Sequence, residues 1–234
     1  MRYTGDVRIV GRRDELEQIG RLLDRAGAGP GGLLVVVGLA GAGKTALLEA
    51  AASEARGRGF DVLRASPAVG HPGCLLWAQL LRDAGAPDDL AAGLVTGNTG
   101  TLELDSAARH LVSGSPRLIL VDDIERGGRD AIEVLSVVAA RCTAAATAVI
   151  AAAAAPVGPG PELRLRGLSE EDLGAAAGGT GGRCGPCALG GIARAARRGA
   201  ATGARARRPA GERGPGGASR APRPVDGAFP RRRR

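Results

Sequence analysis

Leu33-Leu34-Val35-Val36-Val37 is an unbroken apolar run bounded by glycine on both sides. The chain passes straight from it into Gly38-Leu39-Ala40-Gly41-Ala42-Gly43-Lys44-Thr45. A run with no polar alternation suits a strand buried on both faces, the environment of a parallel sheet covered by helices. Residues 45–56 then place Leu48, Ala51, Ala52 and Ala55 on one helical face. A buried strand, a glycine-rich turn and an amphipathic helix in direct succession predict an α/β fold with right-handed crossovers.

The turn itself matches G-x-x-x-x-G-K-[ST] at every fixed position. Gly38, Gly41 and Gly43 permit backbone angles that a Cβ would forbid, so successive N–H groups can face inward around phosphate oxygens. The binding loop expected from this pattern runs over Gly38, Leu39, Ala40, Gly41, Ala42, Gly43, Lys44, Thr45 and Ala46. The helix that starts near Lys44 adds its positive N-terminus to the same anion site. Lys44 is the only lysine in the chain, and a compact ammonium there suits the β- and γ-phosphates of a nucleotide. The Thr45 hydroxyl is placed to hold Mg²⁺. Further along, Leu118-Ile119-Leu120-Val121-Asp122-Asp123 is a second apolar run, closed by two carboxylates. Asp122 is assigned to Mg²⁺ together with Thr45. Asp123 is assigned to the attacking water, acting with Lys44 in catalysis. The expected ligands are therefore ATP and Mg²⁺. No Asn-Lys-x-Asp is present to read guanine, and no Leu-Ser-Gly-Gly-Gln that would point to an ABC-type ATPase.

Other segments extend the alternation. Residues 60–65, 148–150 and 163–165 read as strands, and 75–82, 102–112 and 131–140 as helices. The stretch 144–155 is apolar but mostly alanine and far short of the ~20 residues that span a bilayer, so it reads as buried strand. Ser169-Glu170-Glu171-Asp172 has a capping-box pattern that opens one more helix. Composition changes abruptly at Gly174. Beyond it, residues 174–234 carry 14 Arg against Glu212 and Asp226, and nearly all the rest is Gly, Ala or Pro. Such a segment cannot bury enough apolar surface to offset the entropy of ordering. Two domains are expected: a mildly acidic nucleotide-binding body over 1–173, and a disordered basic tail over 174–234. Gly, Ala, Arg and Pro are the residues whose codons begin with two G or C bases. The tail therefore reads either as a G+C-rich gene translated out of frame or as a genuine low-complexity extension.

Three features resemble the ATPase domain of AAA/STAND-type regulators, especially the large ATP-binding LuxR-family regulators. Ile9-Val10-Gly11-Arg12-Arg13-Asp14-Glu15-Leu16 is similar to their V-G-R-x-x-E-L box. Asp122-Asp123-Ile124-Glu125 followed by Ile132-Glu133-Val134-Leu135 resembles the segment after their metal-binding strand. Residues 163–172 resemble the approach to their lid. The resemblance runs from about residue 8 to 173. It implies an AAA-like P-loop fold, a parallel sheet flanked by helices, with Val10, Gly11 and Arg12 near the adenine. It also implies a role as an ATP-dependent switch. Arg126 and Gly128 stand where the family usually has Trp and Asp. Ala151 to Ala155 stand where the fourth strand usually ends in a polar or Arg sensor, so hydrolysis is expected to be slow or absent. The family's lid, helical repeats and helix-turn-helix have no counterpart in the pattern.

The expected partners are ATP, a second copy of the domain and, through the arginine tail, the phosphates of nucleic acid held without sequence preference. A nucleic-acid-binding protein acting through that tail is the competing reading, and a small-molecule kinase a weaker third. No membrane partner is expected, and the absence of an apolar leader points to the cytoplasm. Cys184-Gly185-Pro186-Cys187 spells a redox motif outside the strand–helix setting that such a motif needs. Cys74, Cys142 and Trp77 read as core, and His71 and His110 as structural or exposed.

Overall fold

The computed structural model describes residues 9, 11–68, 70–96 and 100–167. Val10, the capped helix expected at Ser169, the Cys184/Cys187 pair and the whole basic tail lie outside the described residues. In chain order the elements are α1 (Arg13–Ala28), β1 (Gly32–Val37), α2 (Lys44–Gly57), β2 (Asp61–Ala65), α3 (Cys74–Asp83), α4 (Asp88–Val95), α5 (Thr101–Val112) and β3 (Arg117–Val121). A 3₁₀ turn (Ile124–Gly127), α6 (Gly128–Cys142), β4 (Thr147–Ala153) and β5 (Glu162–Arg164) follow. No helix among the described residues is long and apolar enough to cross a membrane.

The five strands form one parallel sheet in the order β2-β3-β4-β1-β5. Consecutive strands are therefore joined by crossovers, and helices cover both faces. The continuous apolar runs follow directly from this. Leu34 and Val36 of β1 point toward one face, where Ile19, Leu22 and Leu23 of α1 and Leu47, Leu48 and Ala51 of α2 are packed. Leu33, Val35 and Val37 point to the other, against Leu135 and Val138 of α6. β3 divides in the same way, Leu118 and Leu120 to the α1–α2 side, Ile119 and Val121 opposite. Both faces are dry, so no polar alternation survives.

β4 lies between β1 and β3, with Ala151 level with Val35 on one side and Val121 on the other. All seven of its residues are buried. It runs past the 148–150 core and falls inside the 144–155 stretch read as buried strand, because pairing on both edges holds alanines that have little strand preference of their own. On the opposite face three helices, α3 to α5, intervene between β2 and β3. Trp77 of α3 is fully buried and its indole N–H donates to the Ala131 carbonyl at 3.0 Å, joining α3 to the first turn of α6.

Close backbone approach fixes where β1 begins. A Cβ on Gly31 would sit 1.8 Å from the Thr147 carbonyl oxygen, while the Gly31 N–H donates to the carbonyls of Cys142 and Ala145. Gly31→Ala is expected to destabilise the protein by about 3 kcal/mol, the upper range for overpacking. Gly57→Ala, where a Cβ meets nothing within 4 Å, should be neutral or slightly stabilising. Urea titration of both variants followed by circular dichroism checks the pair.

Cys142, at the end of α6, is fully buried, and that burial pushes its thiol up to about 12 from 9.0. The folded state thus keeps the proton that the unfolded chain releases. The resulting stability is complete below pH 9 and is lost as pH rises toward 12. Iodoacetamide at pH 8 followed by peptide mapping should leave Cys142 unmodified until denaturant is added.

Candidate nucleotide-binding site

The C-terminal edge of the sheet gathers the residues that the sequence singled out. The chain leaves β1 at Val37 and enters α2 at Lys44, with Gly41 (φ 81°) and Gly43 (φ 91°) in the left-handed region that side chains disfavour. These two glycines turn the loop so that α2 starts facing the space above the strands. The Ala42 N–H closes the turn onto the Leu39 carbonyl at 3.0 Å. Lys44, the first residue of α2, is only 7% exposed. Its Nζ donates to the carbonyls of Gly38 at 2.9 Å and Leu39 at 3.4 Å. The ammonium is folded back over its own loop, a short swing from the cavity that it borders.

That cavity has a volume of about 570 Å³. Ala40, Gly41, Gly43, Lys44, Thr45 and Ala46 form one wall. Asp123, Glu125, Arg126 and Ala154, from the ends of β3 and β4, form the other. Of the remaining loop residues, Leu39 is 72% exposed and faces solvent. Gly38 and Ala42 contribute carbonyls to side chains rather than lining the cavity.

Asp122 follows β3 directly, and its N–H extends the ladder by donating to Ala65 at 3.0 Å. Its carboxylate is buried against the loop, where Oδ2 accepts the Thr45 hydroxyl at 2.8 Å. Arg64 on β2 approaches the same oxygen at 3.8 Å while also pairing with Glu49 of α2. A hydroxyl and a carboxylate held together beside a phosphate loop are hard oxygen donors. They suit a cation such as Mg²⁺, which keeps most of its waters and takes few protein ligands. Among the described residues no group of three or more His, Cys, Asp or Glu converges on a metal position.

The two carboxylates that follow do different things. Asp123 adopts left-handed backbone angles (φ 47°, ψ 45°), a conformation that Asp tolerates better than most residues. Its side chain pairs with Arg126 along the cavity wall, Oδ2 to Nη1 at 3.4 Å. The reversal starts the 3₁₀ turn and brings Glu125 back over the cavity. Glu125 Oε1 accepts the Ala154 N–H at 3.0 Å just past β4, and Oε2 is buried with no hydrogen-bond partner among the described residues. Sequence pattern did not single out Glu125 as a site residue, because nothing in the local sequence reveals the backbone reversal at Asp123.

Arg12 and Gly11 were placed near the adenine by resemblance. Gly11 is exposed, with φ 73°. Arg12 is 6% exposed and its guanidinium is fully engaged. Nη1 pairs with Glu15 at 2.8 Å, and Nη2 donates to the carbonyls of Ala42 at 2.9 Å and Arg166 at 2.7 Å. It ties the N-terminal segment, the phosphate loop and the exit from β5 to one point.

A parallel sheet with this strand order, a glycine loop opening a helix and an acidic residue on a strand once removed define a P-loop α/β domain. The chain belongs to the AAA ATPase domain family, which residues 8–151 match. Curated protein sequences give no match. Among solved structures, the ORC1 protein of Aeropyrum pernix in complex with DNA is similar in fold. It is 16% identical, covers 83% of this chain and 58% of its own, and has a TM-score of 0.53. Drosophila ORC bound to DNA is 21% identical, with 71% and 46% coverage and a TM-score of 0.52. The AMPPCP-bound DnaA of Aquifex aeolicus is 16% identical, with 86% and 63% coverage and a TM-score of 0.46. The chain thus spans about half to under two thirds of the length of these three structures.

Arg12→Lys keeps the charge but loses the planar fork that reaches three oxygens at once. It is expected to lower stability by about 1–3 kcal/mol, because buried carbonyl oxygens lose a donor. Chemical denaturation in the absence of nucleotide measures this.

Proposed function

We propose that this chain is a Mg²⁺-dependent ATP-binding switch module of the STAND type, akin to the ATPase domain of large LuxR-family regulators. The observation that carries the reading is the placement of Lys44 and Thr45 on one cavity edge, at the mouth of a helix-opening glycine loop, with the Asp122 carboxylate hydrogen-bonded to Thr45. N–H groups of the loop and of the first turn of α2, other than those of Gly38 and Ala42 that the fold already uses, would bind the phosphates, and Lys44 would leave its two carbonyls to meet the outer ones. Thr45 and Asp122 would exchange their mutual hydrogen bond for a shared Mg²⁺, whose charge offsets that of the phosphates. The Ile9–Leu16 box and the 163–172 segment support the regulator subtype by resemblance.

Turnover is slow in this reading. The end of β4 offers only alanine where a polar sensor would touch the outer phosphate, and Asp123 is turned toward Arg126. A molecule that binds ATP and keeps it is a switch set by occupancy rather than a motor. Self-association through the domain and cytoplasmic residence belong to the same proposal. A second reading rests on the 14 Arg of residues 174–234: non-specific nucleic-acid binding through phosphate contacts, which salt would abolish.

Titration calorimetry and thermal shift with Mg-ATP, on the full chain and on Lys44→Ala, test the proposal. Ligand at 100 times Kd should stabilise the wild type by about 2.7 kcal/mol and leave Lys44→Ala unmoved. A folded wild type that ignores Mg-ATP sinks the reading. DNA retention that is independent of nucleotide and lost at high salt would favour the second.

A further inference from the structure

Glu125 is a carboxylate for which the fold has no structural use on one side. Oε1 is satisfied by the Ala154 N–H, which fixes the side chain across the end of β4. The residue lines the cavity, and its Oε2 is buried without a hydrogen-bond partner among the described residues. Buried polar atoms are paired as a rule, and an orphan beside a ligand cavity points to a function performed when the ligand is present. Two neighbouring features bring it there. The left-handed Asp123 reverses the chain, so that the residue two positions on faces Lys44 and Thr45 across the cavity. Ala153 and Ala154 present no side chain beyond a methyl, leaving room for the longer Glu125 over the strand end. Asp123, the residue expected from sequence to act on water, lines the same cavity with its carboxylate paired to the Arg126 guanidinium at 3.4 Å.

We infer that Glu125, not Asp123, is the water-orienting carboxylate of this site, acting opposite the outer phosphate; this rests on the ATP-binding reading above. Glu125 Oε2 accepts a hydrogen bond from a water and then its proton. The water oxygen bonds to the terminal phosphorus as the bond from that phosphorus to the bridging oxygen breaks. The electron pair of that bond stays on the departing ADP, and Glu125 passes the proton to solvent. The Ala154 N–H takes the place of a side-chain sensor by holding the carboxylate in register with β4. With a single backbone tether on Glu125 among the described residues, the slow turnover proposed above follows.

The test compares Glu125→Gln, Asp123→Asn and the wild type, measuring ATP and ADP affinities by calorimetry and single-turnover hydrolysis with Mg²⁺. A carboxylate facing the outer phosphate repels it, so Glu125→Gln should bind Mg-ATP about threefold or more tightly with ADP affinity unchanged. Hydrolysis should fall by about 100-fold or more, and the nucleotide recovered from the protein should be ATP. A Glu125 that serves only to cap Ala154 would move both affinities alike, and that result overturns the inference. So does wild-type turnover in Glu125→Gln, loss of hydrolysis confined to Asp123→Asn, or a wild type that binds ATP without hydrolysing it. A wild type that binds neither nucleotide removes the ATP-binding reading, and this inference with it. Should Glu125→Gln fail to fold, Glu125→Asp sets the carboxylate back by one methylene. It should lose hydrolysis with both affinities held within about threefold, and turnover at the wild-type rate would again overturn the assignment.

Discussion

The pairing of β4 with β1 on one edge and β3 on the other sets the spacing on which the site depends. Because Ala151 is level with both Val35 and Val121, β1 and β3 are kept two strand spacings apart, roughly 9.5 Å, and their ends stay in fixed register. The glycine loop rises from one strand and Asp122 from the other, and the first turn of α2 bridges the gap through Thr45. Hydrogen-bond geometry in a parallel ladder is stiff, so this distance cannot drift with side-chain packing. Alanine suits the role: small residues on both faces of β4 let α1 and α6 approach the middle of the sheet closely.

Around that frame, charge is arranged in local pairs with little left over. Lys44 rests on carbonyls, Arg64 on Glu49 and Asp122, Arg126 on Asp123, and Arg12 on Glu15 and two carbonyls. The start of α2 behind the glycine loop adds the positive end of a helix dipole, which favours an anion. An arriving polyphosphate would therefore compete for cations already in use. Of these, Lys44 has the weakest hold, since it shares its proton donors with neutral oxygens rather than a carboxylate. That makes it the cation most readily drawn away.

Much of this was legible in the sequence where a single environment dictated the residues. β1 and β3 are dry on both faces, so their runs are apolar throughout and their limits were read to within a residue. The glycine loop was legible because left-handed turns at Gly41 and Gly43 restrict which residues fit. The ends of β4 were not legible, because 148–150 is too short for it and 144–155 too long: alanine signals burial without marking where a strand stops, and only its pairing partners decide. α4 was missed, although Pro87 before it and Asp88 and Asp89 in its first turn are ordinary helix-start signals; eight residues carry too little periodicity to stand out. At the site, residue type foretold that Asp122 would meet Thr45. The pairing of Asp123 with Arg126 and of Glu125 with the Ala154 N–H was hidden, because both follow from one backbone reversal and from contacts formed only in the folded chain.

The Arg12 guanidinium has a mechanical consequence. A single nitrogen, Nη2, holds both the Ala42 carbonyl in the glycine loop and the Arg166 carbonyl where the chain departs from β5. These positions are 124 residues apart in sequence, yet they share one pivot. A shift of the loop that moved the Ala42 carbonyl would therefore load the same guanidinium that holds the chain at Arg166, and the reverse. The guanidinium is thus a hinge pin common to three segments, the N-terminal box, the glycine loop and the outgoing strand.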